Sequence, residues 1–206
     1  ERWSGVKFTL RSGKALGDGR YGITLHFRPV SHVPKGFVGE PVNNVIDIGM
    51  IDTSMIYFAV NHLDCAGGIM VTASHNPPQY NGFKISRRKA KPVGEATGLA
   101  DIRKYAATVD FVNHFTPAGG RTEKRDLWEA YRKHVLGFLD LSKRKGKRPL
   151  KVVIDASNGM AGTMVPRVFG AKRGGMEGLE IVEINFDNSK GEFVHEPNPL
   201  VASNLK

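Results

Sequence analysis

This chain of 206 residues has a single cysteine, Cys65. An internal disulfide is therefore excluded, and so is a zinc site built on cysteines. Cys65 is expected to be a small buried residue just after a helix. No apolar run approaches the ~20 residues that a membrane helix needs. The first residues, Glu1-Arg2-Trp3-Ser4, lack the apolar core of a signal peptide. These absences point to a protein of a reducing cytoplasm with no membrane partner. His26, His32, His62, His114 and His134 show no metal-ligand spacing. What remains is ordinary for a globular chain: 40% hydrophobic and 24% charged residues, enough for one large domain or two smaller ones.

The formal net charge of +10 is the first positive feature. Basic residues cluster at Arg87-Arg88-Lys89-x-Lys91 and at Lys143-Arg144-Lys145-x-Lys147-Arg148. A nucleic-acid binder would be one reading. It is disfavoured because the chain has no aromatic-basic RNA signature, zinc-finger spacing or recognition helix. A positive cleft that draws a small phosphorylated substrate is a second reading. The run at residues 143–148 lies between two elements and reads as solvated linker charge.

Pattern divides the chain. Residues 1–43 are broken by Gly5, Gly13, Gly17, Gly19, Gly22, Pro29, Pro34, Gly36, Gly39 and Pro41, with short strands allowed at 6–10 and 23–27. From Asn44 the signal sharpens. Val45-Ile46-Asp47-Ile48 reads as a buried strand. Asp52-Thr53-Ser54 offers helix caps, and Met55 to Leu63 a mostly apolar helix. Strands follow at Ile69–Val71 and from Phe83, and a short helix at Gly98–Tyr105. Asp126-x-x-Glu129 resembles a capping box. It precedes Leu127, Tyr131, Val135, Leu136 and Leu139 at helical spacing. Lys151–Asp155 opens a new strand, glycine turn and helix to about Phe169, then a strand at 180–185. That turn lacks the glycine spacing of a dinucleotide site.

The most telling stretch is Gly67-Gly68-Ile69-Met70-Val71-Thr72-Ala73-Ser74-His75-Asn76-Pro77, followed by Tyr80-Asn81-Gly82-Phe83-Lys84-Ile85-Ser86. An apolar strand runs into small polar residues, Asn76-Pro77-Pro78 forces a turn, and a second strand starts after Asn81-Gly82. Ser74 is thereby held at the tip of a strand-loop-strand unit, with the cation Lys84 coming back towards it. Ser74 and His75 are adjacent, and adjacent side chains on extended chain point apart. A serine-histidine relay is therefore a poor reading, and no Gly-x-Ser-x-Gly elbow surrounds Ser74.

Thr-Ala-Ser-His-Asn-Pro followed by Tyr-Asn-Gly-x-Lys resembles the phosphoserine loop of the α-D-phosphohexomutases, most nearly the bacterial phosphomannomutase/phosphoglucomutase group. The resemblance implies an α/β fold. A mixed sheet covered by helices would occupy residues 1–148, with residues 1–43 poorly matched, and an incomplete second domain of similar kind residues 149–206. It implies that phospho-Ser74 exchanges its phosphoryl group with hexose 1- and 6-phosphates through a hexose 1,6-bisphosphate. Ser74, His75 and Lys84 are the candidate catalytic residues, and Asn76 and Lys84 the candidate substrate- and phosphate-binding ones. His75 either touches phosphate or satisfies loop hydrogen bonds; Asn76 and Asn81 also shape turns. A Mg2+ ion is implied, bridging the Ser74 phosphate and family aspartates expected beyond Lys206. His195, within Phe193-x-His195-x-Pro197-Asn198-Pro199-Leu200, resembles a family signature and is read as loop architecture.

The family's Tyr-Asp-x-Arg-Gly element is missing from the start, and only Leu16-Gly17-Asp18-Gly19-Arg20 echoes its next arginine turn. The expectation is therefore a truncated portion that carries the phosphoserine, turns over slowly or not at all alone, and self-associates through an exposed second-domain edge. Phosphoglucosamine mutase and a non-catalytic phosphate-binding domain are the alternatives.

Overall fold

The structure is a computed structural model. It describes residues 44–108 apart from 73, 75 and 77–81, residues 122–191 apart from 145 and 171–174, Phe193, Ala202, and the backbone of four amino-terminal strands. The chain divides into two compact units, Glu1–Asp47 with Val93–Arg125, and Ile48–Pro92 with Asp126–Lys206.

In the first unit, β1 (Val6–Leu10) pairs antiparallel with β4 (Leu25–Pro29), Val6 opposite Pro29 and Leu10 opposite Leu25. The second strand thus lies two residues later than the 23–27 alternation suggests. β2 (Lys14–Ala15) and β3 (Tyr21–Gly22) form a smaller antiparallel pair. β5 (Val45–Asp47) pairs in parallel with β9 (Thr122–Lys124), and the Arg125 N–H extends the ladder to the Asp47 carbonyl at 2.9 Å. All three residues of β9 are exposed and polar, so no hydrophobic pattern marks it as a strand. α2 (Leu99–Thr108) follows a turn at Gly94–Thr97, where the Gly94 N–H donates to Thr97 Oγ1 at 2.8 Å.

The second unit holds α1 (Thr53–His62), β6 (Gly67–Val71), β7 (Phe83–Arg87), β8 (Lys91–Pro92), α3 (Trp128–Leu136), β10 (Leu150–Asp155), α4 (Ala161–Phe169) and β11 (Leu179–Ile184). Of the three cap candidates before α1, Asp52 takes the role. Its Oδ1 accepts the Met55 N–H at 2.8 Å and its Oδ2 accepts the Ser54 hydroxyl at 3.1 Å. β6, β7 and β8 form one antiparallel sheet, with Gly67 opposite Arg87 and Val71 opposite Phe83. The glycines of β6 let α1 lie close on this sheet. A Cβ at Gly68 would stand 2.7 Å from Val60 Cγ2 and 3.0 Å from Ile56 Cγ1.

The core of this unit joins α1, α3 and α4. Met55 is fully buried, and Ile51, Ala59, Leu127, Trp128, Tyr131, Met164 and Val168 pack with it. Met55 and Ala59 lie one helical turn apart on α1, and Met164 and Val168 do the same on α4, so each helix offers a single stripe. Burying a side chain such as Met55, Met164 or Val168 stabilises by roughly 1.5–3 kcal/mol. α4 is docked further by Arg132, whose Nε and Nη2 donate to the Val168 and Gly175 carbonyls at 3.1 and 3.0 Å. The Arg167 guanidinium lies 4.5 Å from the centre of the Trp128 ring. At the start of α3 the capping box is replaced. Asp126 Oδ1 accepts the Trp128 N–H at 2.8 Å, and Leu127 holds the cap position.

β10 and β11 are parallel and in register from Leu150–Leu179 to Asp155–Ile184, with α4 between them in sequence, a βαβ unit. Val153 of this sheet is 59% exposed. Cys65 is half-buried rather than fully buried as expected, just past α1, where its N–H donates to the Val60 carbonyl at 2.9 Å. Among the described residues no helix is long and apolar enough to cross a membrane.

Candidate functional site

The hairpin β6-loop-β7 positions the candidate residues. Its ladder continues one step beyond the strands, where the Thr72 N–H donates to the Gly82 carbonyl at 2.9 Å. Ser74 lies two residues beyond that bond on the loop side, and Lys84 two residues behind it on the returning strand, opposite Met70. Each is thus within two residues of the last rung of the ladder, on either side of it.

Ser74 is exposed and sits at a φ of +56°, in the left-handed region. For a non-glycine residue this conformation is costly and needs a local restraint. Thr72 supplies one: its Oγ1 accepts the Ser74 N–H at 2.9 Å. Asn76 is also exposed, at a bend after the serine. His75 and His195 lie outside the described residues.

Lys84 stands directly opposite Met70 in the ladder, so the two side chains leave the sheet on one face. The first residue of α1 meets them there. Lys84 Nζ donates to Thr53 Oγ1 at 3.2 Å, and the Thr53 hydroxyl faces Met70 Sδ at 3.5 Å. Lys84 is exposed. A serine hydroxyl on a restrained turn and an ammonium held at a helix start on the following strand are groups of the kind that bind and transfer a phosphoryl group.

A second concavity, of ≈ 690 Å³, lies between α1 and α3. Tyr57, Phe58, His62, Tyr131, His134 and Phe138 line it. Phe58 stacks on His62 at 4.9 Å and meets the His134 ring at 4.9 Å. Burial raises the Tyr131 phenol pKa above its ordinary value, with the Asp52 charge adding to the rise and the Ser54 hydrogen bond opposing it. This aromatic groove has neither Lys nor Arg in its lining, so it does not suit a phosphate.

Among the described residues no group of three or more His, Cys, Asp or Glu could hold a metal ion.

The fold is that of an α/β protein, with Ser74 exposed just beyond the end of β6. Residues 33–113 match the family described as phosphoglucomutase/phosphomannomutase, alpha/beta/alpha domain I, and residues 129–206 match its alpha/beta/alpha domain II. The chain belongs to the phosphohexomutase family. It is 38% identical to a phosphomannomutase of Escherichia coli over 159 residues, 77% of this chain and 34% of that protein. A second Escherichia coli phosphomannomutase is 39% identical over 194 residues, 93% of this chain and 41% of that protein. A protein of Xanthomonas campestris named phosphohexose mutases is 40% identical over 161 residues, 78% and 34% of the two chains. Two solved structures are also similar. One is a phosphoglucomutase/phosphomannomutase family protein from Burkholderia thailandensis, with TM-score 0.55 and 31% identity over 79% of this chain and 34% of that one. The other is described as a phosphomannomutase from Thermus thermophilus, with TM-score 0.57 and 28% identity over 79% and 35%. The chain therefore spans between a third and about two-fifths of the length of these relatives.

Proposed function

We propose that this chain is the phosphoserine-bearing portion of a hexose phosphate mutase. The observation that supports this reading is Ser74, exposed on a restrained left-handed turn just beyond the Thr72–Gly82 rung, with the cation Lys84 two residues behind that rung on the returning strand. Ser74 stores a phosphoryl group as an ester. A hydroxyl oxygen of a hexose monophosphate attacks the phosphorus, the bond from phosphorus to Ser74 Oγ breaks, and Oγ gains the proton that the sugar hydroxyl loses. The product is a hexose 1,6-bisphosphate. It turns over and returns its other phosphoryl group to Ser74 by the reverse exchange, so phosphate moves between O1 and O6. Lys84 balances the negative charge of the group in transit. His75 and Asn76 flank the nucleophile and are proposed to contact the phosphate oxygens. Positioning and charge compensation account for most of the acceleration in transfers of this kind.

The experiment is intact-mass analysis of the chain before and after incubation with glucose 1,6-bisphosphate, followed by peptide mapping. One HPO3 unit is expected on Ser74 and is expected to be absent in Ser74→Ala. A chain of unchanged mass under both conditions would falsify the proposal.

A further inference from the structure

The position of Lys84's ammonium is decided outside its own strand. A lysine on a sheet edge has four rotatable side-chain bonds, and freezing them costs up to about 2 kcal/mol. Something must offset that cost if the charge is to wait in one place. Here the recorded partner is the Thr53 hydroxyl, 31 positions away in sequence and 3.2 Å away in space. The hydrogen bonding is directionally consistent. A threonine hydroxyl has one donor and two acceptor lone pairs. Thr53 accepts from Lys84 and directs its own proton to Met70 Sδ, 3.5 Å away, so its acceptor side faces the ammonium. Met70 and Lys84 are a directly opposed pair, and Thr53 sits over both.

Thr53 is also released from the task that its residue type often performs. The helix cap is Asp52, and its two carboxylate oxygens are engaged by the Met55 N–H and the Ser54 hydroxyl. Thr53 is the first residue inside α1, where a hydroxyl is not needed for the helix. Its side chain is half-buried between helix and hairpin while Lys84 is exposed. The fixed partner is the threonine, and the movable one is the lysine.

From this geometry we infer that Thr53 is a positioning residue for phosphoryl transfer. It holds the Lys84 ammonium at the start of α1, on the strand that returns from the Ser74 loop. The inference rests on the proposed role of Ser74 and goes beyond it by naming the group that places the cation. Without the hydroxyl, Lys84 keeps its charge but spreads over its rotamers. Misplacement of a charge-balancing group by about 1 Å can cost up to ~100-fold in rate.

The test measures the initial rate at which Ser74 acquires the phosphoryl group from glucose 1,6-bisphosphate, by intact mass. Thr53→Val keeps the shape and the contact with Met70 but deletes the hydroxyl, and Thr53→Ser keeps the hydroxyl. Circular dichroism and a thermal melt confirm that each variant folds. Thr53→Val is expected to slow the rate about tenfold or more, and Thr53→Ser to recover most of the loss. In a Lys84→Met background, Thr53→Val is expected to have no further effect, because its influence passes through the lysine. An equal loss from Thr53→Val with and without Lys84 overturns the inference, as does a Thr53→Val rate equal to that of the unmodified chain. Failure of the unmodified chain to take up phosphate is a different result: it removes the proposed role of Ser74 itself and this inference with it.

Discussion

Ser74 follows β6 and Ser157 follows β10, and both sit at a left-handed φ, +56° and +45° respectively. The two loops otherwise spend their polar groups differently. After β10, the side chains bind the fold to itself. Asp155 Oδ1 accepts the Ser157 N–H at 2.8 Å and the Asn185 amide at 3.1 Å. Asn158 donates to the Asp187 carbonyl at 2.6 Å, and Asn188 to the Gly159 carbonyl and Thr163 Oγ1 at 3.1 and 2.8 Å. This web ties the end of β10 to the segment after β11. After β6, Thr72 restrains the Ser74 backbone, and the nearby cation is held by a hydroxyl from a helix. A strained strand-tip serine is therefore not by itself a sign of chemistry. Among the described residues, the recorded ties differ: the end of β10 is bound to the segment after β11, while on the strand after the Ser74 loop Lys84 is bound to the start of α1.

That contrast can be broken by mutation. The largest effect is expected at Gly162, whose added Cβ would be driven into the Phe186 carbonyl oxygen where α4 meets the segment after β11. Gly162→Ala should cost about 3 kcal/mol in urea unfolding, while the folded fraction still takes phosphate onto Ser74. Next is Asn188→Ala, which removes two hydrogen bonds of the web. A loss of about 1–2 kcal/mol is expected, again with uptake retained. If either variant stops uptake without unfolding the chain, the second loop is more than scaffold. Ser74→Ala should do the reverse, removing uptake while stability stays within about 0.5 kcal/mol.

The smallest effect concerns Asp187. Hydrogen bonds from the Ser189 side chain and backbone hold its carboxyl below the ordinary carboxylate range. A carboxyl whose folded pKa is depressed adds stability above its unfolded pKa, and that contribution is lost as pH falls through the folded value. Ser189→Ala should move the Asp187 titration upward, followed by the carboxyl carbon shift in an NMR pH series. An unmoved titration would mean that the hydroxyl is not what lowers it.

Much of the hairpin was legible in the chain. Apolar Ile69–Val71 and the restart after Gly82 are local patterns, and the β6–β7 ladder realises them; Pro77 and Pro78 of the expected break lie outside the described residues. α3 was legible from its apolar residues at helical spacing, α1 from its cap residues and mostly apolar run, and α4 from the glycine turn after a buried strand. β9 was not, because its three residues are polar and exposed, and only backbone pairing to β5 makes them a strand. Thr53 was legible only as one of three cap candidates. Asp52 captured the cap with its carboxylate, and that left the threonine hydroxyl for Lys84.

The sequence by itself determined where the serine loop begins and ends, which residues flank it, and which helix faces are apolar. Those properties depend on neighbours a few positions apart, through turn chemistry and side-chain periodicity. Only the tertiary structure decided that Lys84 would be held by a hydroxyl 31 positions away, and that α4 would close the core of α1 and α3. Contacts between distant segments depend on which surfaces pack together, and the linear order of residues does not encode that choice locally.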